Sequence, residues 1–137
     1  MTEKLMEIRD VTQRFRSAER EVVAVSRVSV QVDAGSVTCL VGESGSGKTT
    51  LARIAAGLDK PTAGSIHYQG QDISQLRGPG FMRFRREVQY VHQDPYASLN
   101  PTRTVLSTLL SALGARRNRT RRRATELLER VELTAAA

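Results

Sequence analysis

The sequence predicts an α/β fold with a β-rich opening, a strand–loop–helix unit at its centre and a helical tail. Three observations carry that reading. Val28, Val30 and Val32 alternate with Ser29, Gln31 and Asp33, the two-residue period of a half-buried strand. The run Val37-Thr38-Cys39-Leu40-Val41 passes through a glycine-rich turn into a segment with Leu51, Ile54, Ala55 and Leu58 on one helical stripe. Two further stripes at helical spacing occupy the last third of the chain.

Taken in order, the alternating valines end at the turn Ala34-Gly35. Val37–Val41 is short, apolar and β-branched, as a buried parallel strand should be. Residues 42–47 form the glycine-rich loop, and Thr49–Leu58 reads as a helix closed by Gly57 and Pro61. Residues 61–80 are punctuated by Pro61, Gly64, Gly70, Gly78, Pro79 and Gly80, with Ser65-Ile66-His67-Tyr68 as a short strand between. Val88-Gln89-Tyr90-Val91 reads as another strand, running into the loop Gln93-Asp94-Pro95-Tyr96. Leu106, Leu109, Leu110 and Leu113 form one helical stripe closed by Gly114, and Ala124, Leu127, Leu128 and Val131 form the next. A composition shift near Asn100-Pro101 divides the chain into residues 1–100 and 101–137.

The chain of 137 residues, 39% hydrophobic and 26% charged, suits one modest globular domain rather than a disordered segment. Cys39 stands alone, so no internal disulfide forms, which fits a reducing cytosol. No apolar run approaches the roughly 18 residues of a spanning helix. Met1–Glu7 alternates charged and apolar residues and lacks the apolar stretch of a signal peptide. The chain is thus expected to be soluble, or peripheral through a partner. The net charge of +7 is uneven: residues 101–137 hold 8 basic and 3 acidic side chains, against 13 and 11 in residues 1–100. Arg116, Arg117, Arg119, Arg121, Arg122 and Arg123 could grip nucleic acid or anionic lipid. No aromatics interleave with them, and a charge run ordinarily marks a solvated helix face, so no specific nucleic acid is expected.

The chemistry is concentrated in Gly42-Glu43-Ser44-Gly45-Ser46-Gly47-Lys48-Thr49-Thr50. Binding a triphosphate requires donors that converge on negative charge with no side chain in the way. Gly42, Gly45 and Gly47 lack Cβ, so the backbone can turn tightly and aim its N–H groups inward. The helix beginning near Lys48 adds the positive end of its dipole. Lys48 is a point charge for the β- and γ-phosphates, and Thr49 offers its hydroxyl to Mg²⁺. Ser44 and Thr50 can donate further hydroxyls, while Glu43 points to solvent. A strand before and an amphipathic helix after are the context such a loop requires. The loop alone does not say which nucleotide binds.

Here the chain resembles the N-terminal half of an ATP-binding cassette (ABC) transporter ATPase subunit, of the oligopeptide/dipeptide importer type, over residues 5 to 133. Val41–Leu51 resembles the family's Walker A loop. Ala56-Gly57-Leu58 with Pro61–Ile66 resembles its helix end and following hairpin, and Gln69–Ile73 its next turn. Val91–Pro101 resembles its Q-loop, in wording typical of peptide importers. The resemblance implies a truncated P-loop NTPase core with an N-terminal antiparallel β portion and the start of the α-helical subdomain. It implies ATP and Mg²⁺ as ligands. Gln93 would approach Mg²⁺ and the attacking water and link the site to the transmembrane partner, making Lys48 and Gln93 the catalytic candidates. Phe15 is the best match to the aromatic that stacks on adenine. Transmembrane permease subunits and a second ATP-binding subunit would be the partners, at the cytoplasmic face of the cell membrane, with membrane contact only through them.

The family's hydrolytic machinery also needs an Asp after an apolar run, a Glu beside it, a Ser-Gly-Gly-Gln signature and a later histidine, none of which this sequence contains. His92 reads as loop wall, His67 as part of an exposed hairpin, and Cys39 as a buried small hydrophobe. Nucleotide binding with little or no turnover is therefore expected, from part of a longer product or a truncated remnant. The loop-bearing strand would then lack neighbours, leaving the chain marginally stable and prone to association. A remnant that binds nothing and a nucleic-acid-linked cassette protein stay open as alternatives.

Overall fold

The computed structural model describes residues 4–16, 20–94, 99–113 and 118–133. It falls into two compact units, Met1–Tyr90 and Val91–Ala137. The first is built on a four-stranded sheet in the order β2-β1-β3-β4, with every neighbour antiparallel. Its strands are β1 (Lys4–Arg16), β2 (Glu21–Asp33), β3 (Ala63–Tyr68) and β4 (Gln71–Asp72). Gln69 and Gly70 join β3 to β4 at φ 49° and 78°, the left-handed pair that a tight hairpin demands.

One helix, α1 (Lys48–Ala55), lies on this sheet. Its buried Leu51 and Ile54 meet Ile8 and Val11 of β1, Val25 of β2 and Ile66 of β3. The helix stops through Gly57 at φ 66°, where Gly57 N donates to the Ile54 carbonyl and Leu58 N to that of Arg53, each at 2.9 Å. Those two bonds satisfy carbonyls the helix end would otherwise leave bare.

A 3₁₀ turn, Ile73–Gln75, follows, capped by Asp72, whose carboxylate accepts from Ser74 N at 2.8 Å. Then comes a helix not foreseen in the sequence, α2 (Gly78–Glu87), which buries Phe84 edge-on to Tyr68 with ring centroids 5.4 Å apart. Gly78-Pro79-Gly80 reads as punctuation, yet proline in a first turn lacks only an N–H that the helix leaves unpaired there.

Four expectations are corrected. Val37–Val41 is not a buried strand: it pairs with no strand among the described residues, and Val37 and Val41 are 91% and 94% exposed. A parallel strand depends on a ladder beside it, and the observed sheet pairs only β1 to β4. Cys39, on this segment, is accordingly exposed rather than buried. Val88–Val91 likewise forms no ladder: Val88 ends α2, and Val91 is exposed. His67 is not on an exposed hairpin surface but half-buried in β3, its Nδ1 buried without a hydrogen-bond partner.

The second unit contains α3 (Val105–Ala112) and α4 (Asn118–Glu129), which bury Leu106, Ala124 and Leu128 together with Leu109 and Leu110 at their edge. Thr104 starts α3 by accepting from Ser107 N at 3.1 Å. The ends of both stripes, Leu113 and Val131, remain exposed, and Gly114 lies outside the described residues.

Candidate nucleotide site

The loop between Val41 and α1 is shaped by its glycines. Ser46 N donates to the Glu43 carbonyl at 3.2 Å, closing a tight turn in which Gly45 has φ 83°. Gly47 occupies the helix N-cap at φ 90°. A Cβ there would stand 2.2 Å from the Ala24 carbonyl oxygen and 3.2 Å from Val25 Cγ2, so only glycine lets the loop close onto β2. A Cβ on Gly42 would meet Ser46 Oγ at 2.8 Å.

The electrostatics follow from what the helix end lacks. Gly47 supplies no side-chain acceptor to the first turn of α1, and that turn contains no acidic residue. Its N–H groups and the positive end of the helix dipole thus meet no carboxylate of that turn. The Lys48 ammonium folds back over the loop, donating to the carbonyl oxygens of Gly42 at 2.8 Å and Glu43 at 2.6 Å and to Ser46 Oγ at 3.3 Å. Thr49 and Thr50 stand in the same first turn, Thr49 exposed and Thr50 half-buried. Glu43 and Ser44 are exposed on the loop. A glycine cradle, uncapped amides, a cation and an exposed hydroxyl together fit an anionic phosphate chain and its divalent cation.

The other end of α1 is tied down separately. Arg53 grips Asp59 through two bonds, Nε to Oδ2 at 2.6 Å and Nη2 to Oδ1 at 3.0 Å. The hydrogen bond from Arg53 holds the Asp59 carboxyl below its ordinary range.

Phe15 lies in the first unit near the tip of the β1–β2 hairpin, opposite Val22 and 49% exposed. Gln93 is exposed in the second unit, in the irregular segment that opens it, and residues 95–98 of the same loop lie outside the described residues. Arg121, Arg122 and Arg123 are exposed on α4, with Arg122 and Arg123 both reaching Glu126, at 3.3 and 3.5 Å. Arg116 and Arg117 lie outside the described residues. The sequence reading missed the seat of the loop on Ala24 and Val25. The contact is made by the backbone carbonyl of Ala24, so the side chain at 24 gives no sign of it in the sequence.

Known proteins resemble this chain over most of its length. The family described as ABC transporter matches residues 25–137. A Brucella ovis protein named for peptide import and ATP binding is 38% identical over 138 residues, covering 97% of this chain and 44% of its own length. The oligopeptide transport ATP-binding protein OppF of Streptococcus mutans is 39% identical, over 80% of this chain and 36% of its own. The chain thus spans less than half the length of these curated relatives. Among solved structures, a dimeric ATP-binding cassette in a post-hydrolysis state, bound to ADP and Pi, superposes with a TM-score of 0.76 at 28% identity. That match covers 96% of this chain and 59% of the cassette. With its strand-seated glycine loop and a family match over residues 25–137, the chain belongs to the ABC transporter family.

Proposed function

We propose that this chain is the ATP-binding segment of a cassette ATPase that energises import of peptides or similar solutes. The observation that carries the reading is the Lys48 ammonium held over the carbonyls of Gly42 and Glu43, at the uncapped N-terminus of α1. In this reading Gly42, Gly45 and Gly47 let loop amides face the phosphates, with the hydroxyls of Ser44, Ser46 and Thr50 beside them. Lys48 exchanges its carbonyl partners for phosphate oxygens, and the Thr49 hydroxyl would hold the metal. Mg²⁺, when bound with the nucleotide, supplies neutralisation of the triphosphate charge. Phe15 offers an exposed ring for the adenine to stack on.

Peptide import is the role named for the relatives in Brucella ovis and Streptococcus mutans. Permease subunits and a second ATP-binding subunit are the partners it calls for, at the inner face of the cell membrane. Among the described residues no helix is long and apolar enough to cross a membrane, so the permease would provide that contact. Nucleotide binding is the role that this reading assigns to the 137 residues.

A thermal-shift comparison tests the reading. Mg-ATP should raise the melting temperature and AMP should not, since AMP lacks the β- and γ-phosphates that the loop holds. Equal shifts, or none in a folded sample, would contradict it.

A further inference from the structure

Four register irregularities interrupt the pairing of β1 with β2, and two of them, adjacent along the strands, answer each other. Ile8 pairs with Val30 and Val11 with Val28, so Arg9 and Asp10 together face the single residue Ser29. Val11 pairs with Val28 and Gln13 with Val25, so Ser26 and Arg27 together face the single residue Thr12. Asp10 and Arg27 both take the left-handed conformation, at φ 46° and 49°, which non-glycine residues seldom adopt. Each has its N–H accepted by a hydroxyl from the opposite strand: Asp10 N by Ser29 Oγ at 2.9 Å, and Arg27 N by Thr12 Oγ1 at 3.1 Å.

The two bulges differ in what lies beside them. Thr12 is only 8% exposed, and its carbonyl also accepts from Thr62 N, at 2.9 Å. The bulge that it holds directly follows Ala24 and Val25, the residues on which Gly47 is seated. Because a strand's side-chain period is two, losing one bulge residue shifts the strand's facing and would turn Val25 out of the core.

We propose that Thr12 is a positioning residue for nucleotide binding: its hydroxyl fixes the Arg27 bulge and thereby the place where β2 meets Gly47 of the phosphate loop. The claim rests on the nucleotide-binding reading above. Without the hydroxyl the Arg27 N–H loses its acceptor, and β2 regains the freedom to slide beneath the loop.

The test combines two readouts on the full chain. Binding of a fluorescent ATP analogue with Mg²⁺ is compared among wild type, Thr12→Val, Thr12→Ser and Ser29→Ala. Thr12→Val should bind about tenfold more weakly, while Thr12→Ser and Ser29→Ala stay within about twofold of wild type. Hydrogen exchange of residues 42–49 without nucleotide should accelerate in Thr12→Val and not in Ser29→Ala. Should Thr12→Val fail to fold, Thr12→Ala takes its place. Wild-type affinity and exchange in the hydroxyl-deleted variant would overturn the proposal, as would an equal effect from Ser29→Ala. If wild type and Lys48→Ala were equally inert toward nucleotide, the functional reading would fail, and exchange at the loop would still decide the role of Thr12.

Discussion

The Lys48 ammonium donates to the Glu43 carbonyl oxygen at 2.6 Å, so the cation of the glycine loop is bonded to the loop itself. Both its carbonyl bonds are exposed to solvent, where water can replace either partner. Lys48→Ala should therefore fold, with urea denaturation showing a stability change of no more than about 1 kcal/mol. A much larger loss would mean that the lysine holds the loop together.

Gly45 and Gly47 share a left-handed backbone but differ in surroundings. An added Cβ at 45 meets nothing within 4 Å, whereas at 47 it meets the Ala24 carbonyl oxygen at 2.2 Å. Gly45→Ala should cost about 1–2 kcal/mol from backbone strain alone. Gly47→Ala should cost about 3 kcal/mol or more, because a backbone clash adds to that strain. Urea denaturation of the two variants gives the comparison, and equal losses would show that Gly47 is not clamped against β2.

Val37, Leu40 and Val41 are 91%, 42% and 94% exposed on a segment with no strand beside it among the described residues. Unpaired backbone next to exposed apolar side chains favours association. Sedimentation velocity should show an average size that grows with concentration. Replacing Val37 and Val41 together by lysine should reduce that growth, and a concentration-independent monomer would contradict the expectation.

The Arg53–Asp59 pair gives a pH dependence with a defined sign. Asp59's carboxyl is lowered in the folded chain, chiefly by the hydrogen bond from Arg53. A lowered acid contributes stability above its unfolded value, near 3.9, and loses it as pH falls through the folded value. Asp59→Asn should thus lower the melting temperature slightly at neutral pH and leave no difference once the pH is well below about 4. A difference that persisted in acid would assign the effect to packing instead.

The glycine loop, the helix after it and the apolar stripes were legible because each is set by local spacing. Leu51 and Ile54 are buried as their stripe predicts, and Leu106, Ala124 and Leu128 meet as theirs do. What the sequence concealed depends on partners distant along the chain. Val37–Val41 has the composition of a core strand, but pairing requires a neighbour that composition cannot supply. Asp10 and Arg27 give no sign of left-handed backbone, since hydroxyls on the opposite strand, not their own side chains, support it. α2 was hidden because Gly78-Pro79-Gly80 is equally suited to a turn and to a helix start.

The most direct test is titration of the purified chain with a fluorescent ATP analogue and Mg²⁺, beside Lys48→Ala. We expect saturable binding to the wild type and none to the variant, with both folded by circular dichroism. Equal binding to both would contradict the assignment of Lys48 and its loop, as would no binding to a folded wild type.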